Sequence, residues 1–355
     1  MSLPSPSLSP SRDAAPHADI PDPAPPQHPR GGWKGVLLPV AVVLVIGTVF
    51  VSVYLAAFHA PKPHDLPVAV VGTQRDAQRV GESLESAVPG GFEVRYYAEE
   101  GAAREAIGHR SVFAAYLTGH GRGGPKLLYA GANGPSVTGT LTGAFGPVAE
   151  AGGHRLAQED VLPASAGDTR GLAIFYASFG LVLAGYLFGL MTYQAAPALR
   201  LRQRLASLAI FGVLGGIIIA LLAGGTGFGA LPGSFAGIAG ITALMAMAAG
   251  GATMVFVKWT GPAGSGLASI VLLTLGNSTS GGVMPASYLP GWLHPLSGVL
   301  PVGAGVRAVQ GLAYFHDDGL GHGIAVLVAW IVVCAGLLYL RDARGAKGAR
   351  TARTA

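Results

Sequence analysis

The chain is poor in charge and nearly free of cysteine. Of its 355 residues only 12% are charged and only one is a cysteine, Cys334. An ordinary soluble domain carries about 25% charged residues, so the composition argues against a conventional soluble protein. The lone cysteine excludes an intrachain disulfide and a cysteine-based metal site.

Acidic residues are missing altogether between Thr169 and His316. Charges retained at membrane depth usually mark ion or proton paths. Their absence argues against a proton-coupled antiporter and against an ion channel lined with acids.

Several catalytic motifs are missing as well. The sequence has no Gly-x-x-x-x-Gly-Lys-Ser/Thr loop, no Gly-x-Ser-x-Gly elbow and no His-Glu-x-x-His pair. The segment Gly119-His-Gly-Arg-Gly-Gly124 matches a dinucleotide fingerprint only formally, because Pro125 and a strand-like segment follow it. We interpret it as a glycine-rich turn, and we predict no enzymatic activity, no cofactor and no metal.

The residues that are present favour a membrane. Half of them are hydrophobic, and the 55 glycines suit close helix packing in lipid. The net charge of +5 comes from Lys and Arg at the ends of apolar segments rather than on one soluble face, which argues against nucleic acid as a partner.

The first 58 residues predict a tail and a first span. Residues 1–35 contain nine prolines and few large apolar side chains, which predicts a disordered cytoplasmic tail. Val36–Phe58 is apolar and would span about 34 Å as a helix. A cleaved signal peptide is the alternative, but the run is long and no Ala-x-Ala site follows, so we favour an uncleaved anchor.

Residues 59–170 predict a small extracytoplasmic α/β domain. They hold 12 of the 18 acids and no long apolar run. Strands are predicted over 66–72, 92–98 and 111–117, with helices over 73–88 and 99–109 between them. Residues 126–130 suggest an edge strand, and 135–162 is ambiguous, with helix the favoured interpretation.

Residues 171–340 predict five further spans with a re-entrant element near 285–309, and 341–355 a basic cytoplasmic tail. The spans are predicted over 171–193, 205–224, 234–257, 264–284 and 322–340. Arg200, Arg202 and Arg204 lie between the second and third spans, and Lys258 follows the fourth. By the positive-inside rule, this predicts a six-span plasma-membrane protein with both termini in the cytoplasm.

The stretch 276–315 carries the strongest functional signal. It is mostly apolar, yet Pro285, Pro290, Pro295 and Pro301 forbid one continuous helix. Broken backbone at membrane depth survives only when it is buried in protein or lines a cavity. We therefore predict a re-entrant element that forms part of a substrate path or outer gate.

Polar residues near this stretch have two interpretations each. Arg307 either belongs to the path or gate, or extends its side chain to the headgroups and caps a short helix. Asn277, Ser278 and Thr279, with Ser280, either contact a substrate or bond the backbone where a helix ends. A second polar group consists of His316, Asp317, Asp318 and His322. It could bind a metal, but we favour the interpretation that it forms a loop at the start of a helix.

Together these features resemble the membrane subunits of type 2 ABC exporters, and more narrowly the phage-infection-protein-like branch, which has an ectodomain between its first two spans. The resemblance lies in Ser280-Gly-Gly-Val-Met-Pro285, Leu289-Pro290, Leu296-Ser297, Leu300-Pro301 and Arg307. It covers about forty residues, and the six-span pattern extends it.

The resemblance implies a permease that pairs with a second copy or a paralogue. It also implies a separate ATP-binding subunit, docked on the loop with Arg200, Arg202 and Arg204. The proline-rich tail stands where such permeases often have an amphipathic connecting helix.

The leading hypothesis is therefore an export permease for a hydrophobic or amphipathic substrate. The alternative is a surface receptor or assembly scaffold through which nothing passes. An intramembrane enzyme is disfavoured, because the chain shows no acid, paired-histidine or nucleophile constellation in its spans.

Overall fold

The computed structural model describes residues 33–119 and 124–354, with side chains described over 37–119 and 124–344. Helix α1, Trp33–Phe58, begins three residues before the predicted start. Its first residues, up to Leu44, belong to one unit of the fold, and a second unit starts at Val45. The predicted tail lies outside the described residues apart from Trp33–Gly35. The segment 120–123 of the glycine-rich turn lies outside them too.

Within the described residues, five helices are long and apolar enough to cross a membrane. They are α1, α5 (Ala173–Gln194), α6 (Leu201–Ala223), α7 (Phe235–Thr260) and α11 (Leu320–Thr354). The chain is thus a helical multi-pass membrane protein. Helix α11 continues through the predicted basic tail.

The apolar stretch predicted to span over 264–284 forms a shorter helix. Helix α8, Ala263–Ala268, passes directly into a π-helix over Ser269–Gly276. The hydroxyls of Ser278 and Thr279 then donate to the Leu275 carbonyl at 3.2 and 2.7 Å. Such local bonds compete with the next helical turn, so the helix ends before the predicted limit.

Small residues hold the bundle together around α7, which buries more than half of its span. A Cβ on Gly185 of α5 would lie 3.0 Å from the Ala249 Cβ, and one on Gly189 would lie 2.5 Å from the Thr253 Cβ. On α6, a Cβ on Gly216 would collide with the carbonyl of Ala239. These contacts are the close backbone approaches that small residues permit in lipid.

Residues 66–160 form the predicted α/β domain. Its elements are β1 (Leu66–Val71), α2 (Gln74–Ala87), β2 (Phe92–Tyr97), α3 (Glu100–Gly108), β3 (Ala114–Leu117), β4 (Lys126–Tyr129), α4 (Pro135–Ala151) and β5 (Ala157–Asp160). The predicted strands and helices up to β3 are confirmed. β4 is a strand as predicted, but it is not at the edge of the sheet, because it pairs with β3 on one side and β5 on the other. The ambiguous stretch 135–162 holds both a helix and a strand.

The sheet has the order β2-β1-β3-β4-β5. β1 pairs in parallel with β2 and β3, while β4 is antiparallel to β3. Because side chains alternate along a strand, Val68 and Val70 join the core on one face of the sheet and Ala69 joins the core on the other. Helix α2 begins at a capping box, in which Thr73 and Asp76 each accept a backbone N–H from the other.

The prolines divide the stretch after Gly281 into short pieces. A 3₁₀ turn covers Ala286–Tyr288, α9 covers His294–Val299 and α10 covers Pro301–Tyr314. Pro301 is the first residue of α10, where a missing N–H costs no helical hydrogen bond. We call residues 281–314 the broken hairpin. Val302, Val306 and Val309 of α10 are buried in the core of the bundle.

Candidate functional site

The α/β domain sits on the broken hairpin and shares its cores with it. Met284 and Tyr288 belong to the core on one face of the sheet. Phe315, immediately after α10, is 1% exposed and belongs to the core on the other face, with Ile107 and Leu128. Burial of a phenylalanine is worth about 1.5–3 kcal/mol, so these residues fix the hairpin to the domain from both sides.

Arg110 makes the principal polar contact between the two parts. It follows α3 with a φ of 49° and donates from Nε to the Asp318 carboxylate at 3.1 Å and from Nη1 to Gln310 Oε1 at 2.9 Å. Its Nη2 donates to the carbonyls of Arg307 and Asp318, and the guanidinium lies 4.4 Å above the Phe315 ring. Only 11% of the side chain is exposed.

Burial lowers the pKa of Arg110 to about 10, against the opposing attraction of Asp318. The guanidinium therefore stays charged at neutral pH. A buried charge of this kind is stable only when its donors are satisfied, as they are here.

Asp318 serves a second arginine as well. Arg307 Nη2 donates to the Asp318 carboxylate at 3.1 Å, and its side chain is 58% exposed. Gly319 permits this approach, because its φ is +75° and a Cβ there would lie 2.7 Å from Arg307 Cγ. We call Arg110, Asp318 and Arg307 the arginine clamp.

A cavity of about 300 Å³ lies between the α/β domain and the broken hairpin. Its polar lining comprises Arg110, Arg307, His294, His322, Gln310 and Asn133 together with Ser280, Ser287 and Ser297. Pro285 and Phe113 are among the apolar groups that complete it. We call it the hairpin cavity. Its lining is mixed, with more apolar than polar surface, and its charged lining groups, Arg110 and Arg307, are basic.

The structure brings two of the predicted path residues to this cavity, Pro285 and Arg307. Ser280, from the polar group before them, lines the cavity too, but the rest of that group lies elsewhere. Asn277, Ser278 and Thr279 are buried at the end of the π-helical segment and bond to its backbone, with Asn277 Nδ2 3.3 Å from the Leu273 carbonyl. Neither the Asn277 Oδ1 nor the Thr274 Oγ1 has a partner among the described residues.

The remaining predicted prolines lie apart from the hairpin cavity. Pro290 lines a second cavity of about 200 Å³, beside His59 and His64 at the end of α1. Pro301 is buried at the start of α10.

The three arginines of the predicted coupling loop differ in their environments. Arg200 and Arg202 are exposed, whereas Arg204 is 5% exposed. Arg204 donates to the carbonyls of Thr192, Ala196, Pro197 and Leu199 and lies 4.2 Å from the Tyr193 ring centroid. It holds the end of α5 to the start of α6, as a cation does at a helix C-terminus.

Three of the four acidic and histidine residues near 316–322 are occupied by protein contacts. Asp318 belongs to the arginine clamp, the His316 ring packs 5.2 Å from that of His109, and His322 Nε2 lies 3.1 Å from the Gly298 carbonyl. Among the described residues, no group of three or more His, Cys, Asp or Glu could hold a metal ion.

Sequence reasoning missed Arg110, Phe315, Gln310 and His294. Arg110 and Phe315 are separated by about two hundred residues along the chain, and no local pattern links them. Asp318 was noted, but only as a helix-start residue or a metal ligand. The sequence offers one signal for this contact. Because no acid occurs from 169 to 316, an arginine in that stretch has Asp317 and Asp318 as its nearest acidic residues later in the chain.

The fold and the site define a class: a helical multi-pass membrane protein that carries a small α/β domain on a broken helical hairpin. No protein-family model matches the chain, and no curated protein matches it.

Proposed function

We propose that this protein is the membrane permease subunit of an ABC-type exporter. In this proposal it moves a hydrophobic or amphipathic substrate out of the cell, and a separate subunit hydrolyses ATP. The observation that carries the proposal is the hairpin cavity, a space of mixed polar and apolar lining bounded by broken helices at one end of an apolar bundle. Broken backbone of this kind is tolerated at membrane depth where it lines a cavity.

The proposed topology has six crossings in the plasma membrane and both termini in the cytoplasm. The helix from Ala263 to Ser278 is the shortened fifth crossing. The residues before and after this helix contact different ends of the other long helices, which supports a crossing. Lys258, just before it, pairs with Asp342 near the end of the apolar part of α11 at 2.9 Å, whereas Gly282, just after it, abuts Phe175 at the start of α5. Arg200 and Arg202 follow the end of α5, as the positive-inside rule requires of the cytoplasmic face.

Glycine contacts supply the proposed moving parts. Close packing of α5 and α6 on α7 through Gly189 and Gly216 leaves few side chains to interlock. The π-helix that precedes the hairpin is a rare geometry that is frequent at functional sites. Alternate packing of these helices would open and close the space beneath the α/β domain.

The proposed partners follow from the exposed surfaces. Arg200 and Arg202 are available to an acidic surface of an ATP-binding subunit, whereas Arg204 is committed to the turn it holds. Ile210, Leu214 and Ile217 expose an apolar face of α6, which suits membrane lipid or a second permease, whether a homodimer partner or a paralogue.

Co-purification from native membranes in mild detergent tests the proposal. We expect one ATP-binding subunit per chain, and its loss when Arg200→Glu and Arg202→Glu are combined. Arg344→Glu is the matched control, since it changes an exposed arginine outside the loop and should leave the partner bound. Absence of any ATP-binding subunit under several extraction conditions would refute the permease and favour the receptor or scaffold.

A further inference from the structure

We propose that the hairpin cavity binds the anionic headgroup of an amphiphile, such as a phosphate ester or a carboxylate. That the bound molecule is cargo rests on the proposed function. The binding itself does not, because it depends only on the lining residues.

The charge balance of the cavity is the first step. Arg110 and Arg307 contribute two positive charges, and Asp318, bonded to both, contributes one negative charge. Among the described residues that line the cavity there is no carboxylate. The arginine clamp therefore leaves about one positive charge uncompensated, and that charge lies on Arg307, whose side chain is 58% exposed.

The donor capacity of Arg307 is the second step. Within the described part of the chain, its side-chain hydrogen bonds all come from Nη2 and all go to Asp318. A guanidinium has five N–H donors in a planar fork that matches carboxylate and phosphate oxygens. Arg307 can thus donate to Asp318 from one nitrogen and donate to a bound anion from the other two. Arg110 offers less, because four of its five N–H donors already serve Asp318, Gln310 and two carbonyls.

Neutral groups around Arg307 complete a polar lining. His294 and Ser297 of α9 face the same cavity, as do Asn133 of the α/β domain and His322 of α11. Of these, His294 and Asn133 can donate a hydrogen bond to an anionic oxygen, whereas the Ser297 hydroxyl already donates to the His294 carbonyl and His322 Nε2 lies 3.1 Å from the Gly298 carbonyl. Donors from separate elements converge here, which is the arrangement expected of a binding site rather than of a helix surface.

Size and surroundings favour a headgroup over a whole amphiphile. Ligand pockets begin at about 300 Å³, so this cavity is at the small end and suits a headgroup alone. The wall formed by α9 is flanked by Trp292 and Val299, which are 60% and 61% exposed. An apolar tail attached to the headgroup would lie against these side chains, and a free anion would gain nothing from them.

Equilibrium binding to the purified full-length chain in a zwitterionic bilayer disc tests this inference. The probes are a lysophosphatidic acid, the corresponding lysophosphatidylcholine and inorganic phosphate. We expect the anionic lysolipid to bind at least about tenfold more tightly than either comparison probe. Arg307→Gln should weaken it by about tenfold or more without affecting the zwitterionic probe, as loss of a charged hydrogen bond implies.

Two further variants separate the contribution of the Arg307 charge from that of a neutral donor. Arg307→Lys retains the charge and should keep part of the affinity, and His294→Ala should reduce it while leaving the arginine clamp intact. Arg200→Gln, at the other end of the bundle, is the control that should change nothing.

Equal binding of the anionic and zwitterionic lysolipids by the wild-type chain would overturn the inference, as would an unchanged affinity in Arg307→Gln. Phosphate binding as tight as that of the lysolipid would show a free-anion site and would equally overturn it. None of these results bears on whether an ATP-binding subunit co-purifies, so the two proposals fail separately.

Discussion

Replacing Arg110 with alanine should loosen the α/β domain from the broken hairpin. The change removes the bonds to Asp318 and Gln310 and the contact with the Phe315 ring. Removing one partner of a buried ion pair costs about 3–5 kcal/mol. Asp318 keeps Arg307, so we expect the low end, about 3 kcal/mol.

Thermal unfolding of the full chain in one detergent measures the effect, with protease sensitivity of the α/β domain as a second readout. The matched control is Arg95→Ala, which breaks a pair with Glu93 in the same domain, where both side chains are 41% or more exposed. An exposed pair is worth at most about 1 kcal/mol. If Arg110→Ala were no more destabilising than Arg95→Ala, the argument that this arginine fixes the domain to the hairpin would be wrong.

Three further predictions concern other parts of the chain. Gly189→Ala should destabilise the bundle through its clash with Thr253, whereas Gly180→Ala in the same helix, with nothing within 4 Å, should not; heat-induced aggregation of each variant compares them. Arg204→Ala should lower the unfolding temperature by several degrees and Arg202→Ala by almost nothing, since only the former leaves helix-end carbonyls unpaired; equal shifts would contradict the assigned role. Hydrogen bonds from Arg104 and then Lys126 lower the pKa of Glu159, so its contribution to stability is present above its ordinary pKa of 4.5 and is lost as the pH falls below that value. Glu159→Gln should flatten that part of the pH–stability curve, and an unaltered curve would show that the carboxylate contributes nothing.

Much of the architecture follows from the sequence because it depends on local patterns. Runs of apolar residues bounded by Lys and Arg indicate the long helices, and alternating strands and helices indicate the α/β domain. The prolines from Pro285 to Pro301 locate the broken hairpin, since none of them can continue a helix that precedes it.

What the sequence could not predict depends on contacts between distant residues. Nothing local pairs Arg110 with Asp318, or places Phe315 in the core of a domain that ends some 150 residues earlier. The basic loop offered three equivalent arginines, and only the fold distinguishes buried Arg204 from exposed Arg200 and Arg202. The early end of the helix before Gly281 likewise depends on which hydroxyls turn back onto the backbone.

The most direct test of the central claim is ATP hydrolysis by the complex isolated from native membranes and placed in liposomes. If the hairpin cavity at one end of the bundle is coupled to an ATP-binding subunit at the other end, Arg307→Gln should change the ATPase rate several-fold while the ATP-binding subunit stays bound. A preparation that hydrolyses no ATP, or one whose rate is the same in wild type and Arg307→Gln, would contradict the account.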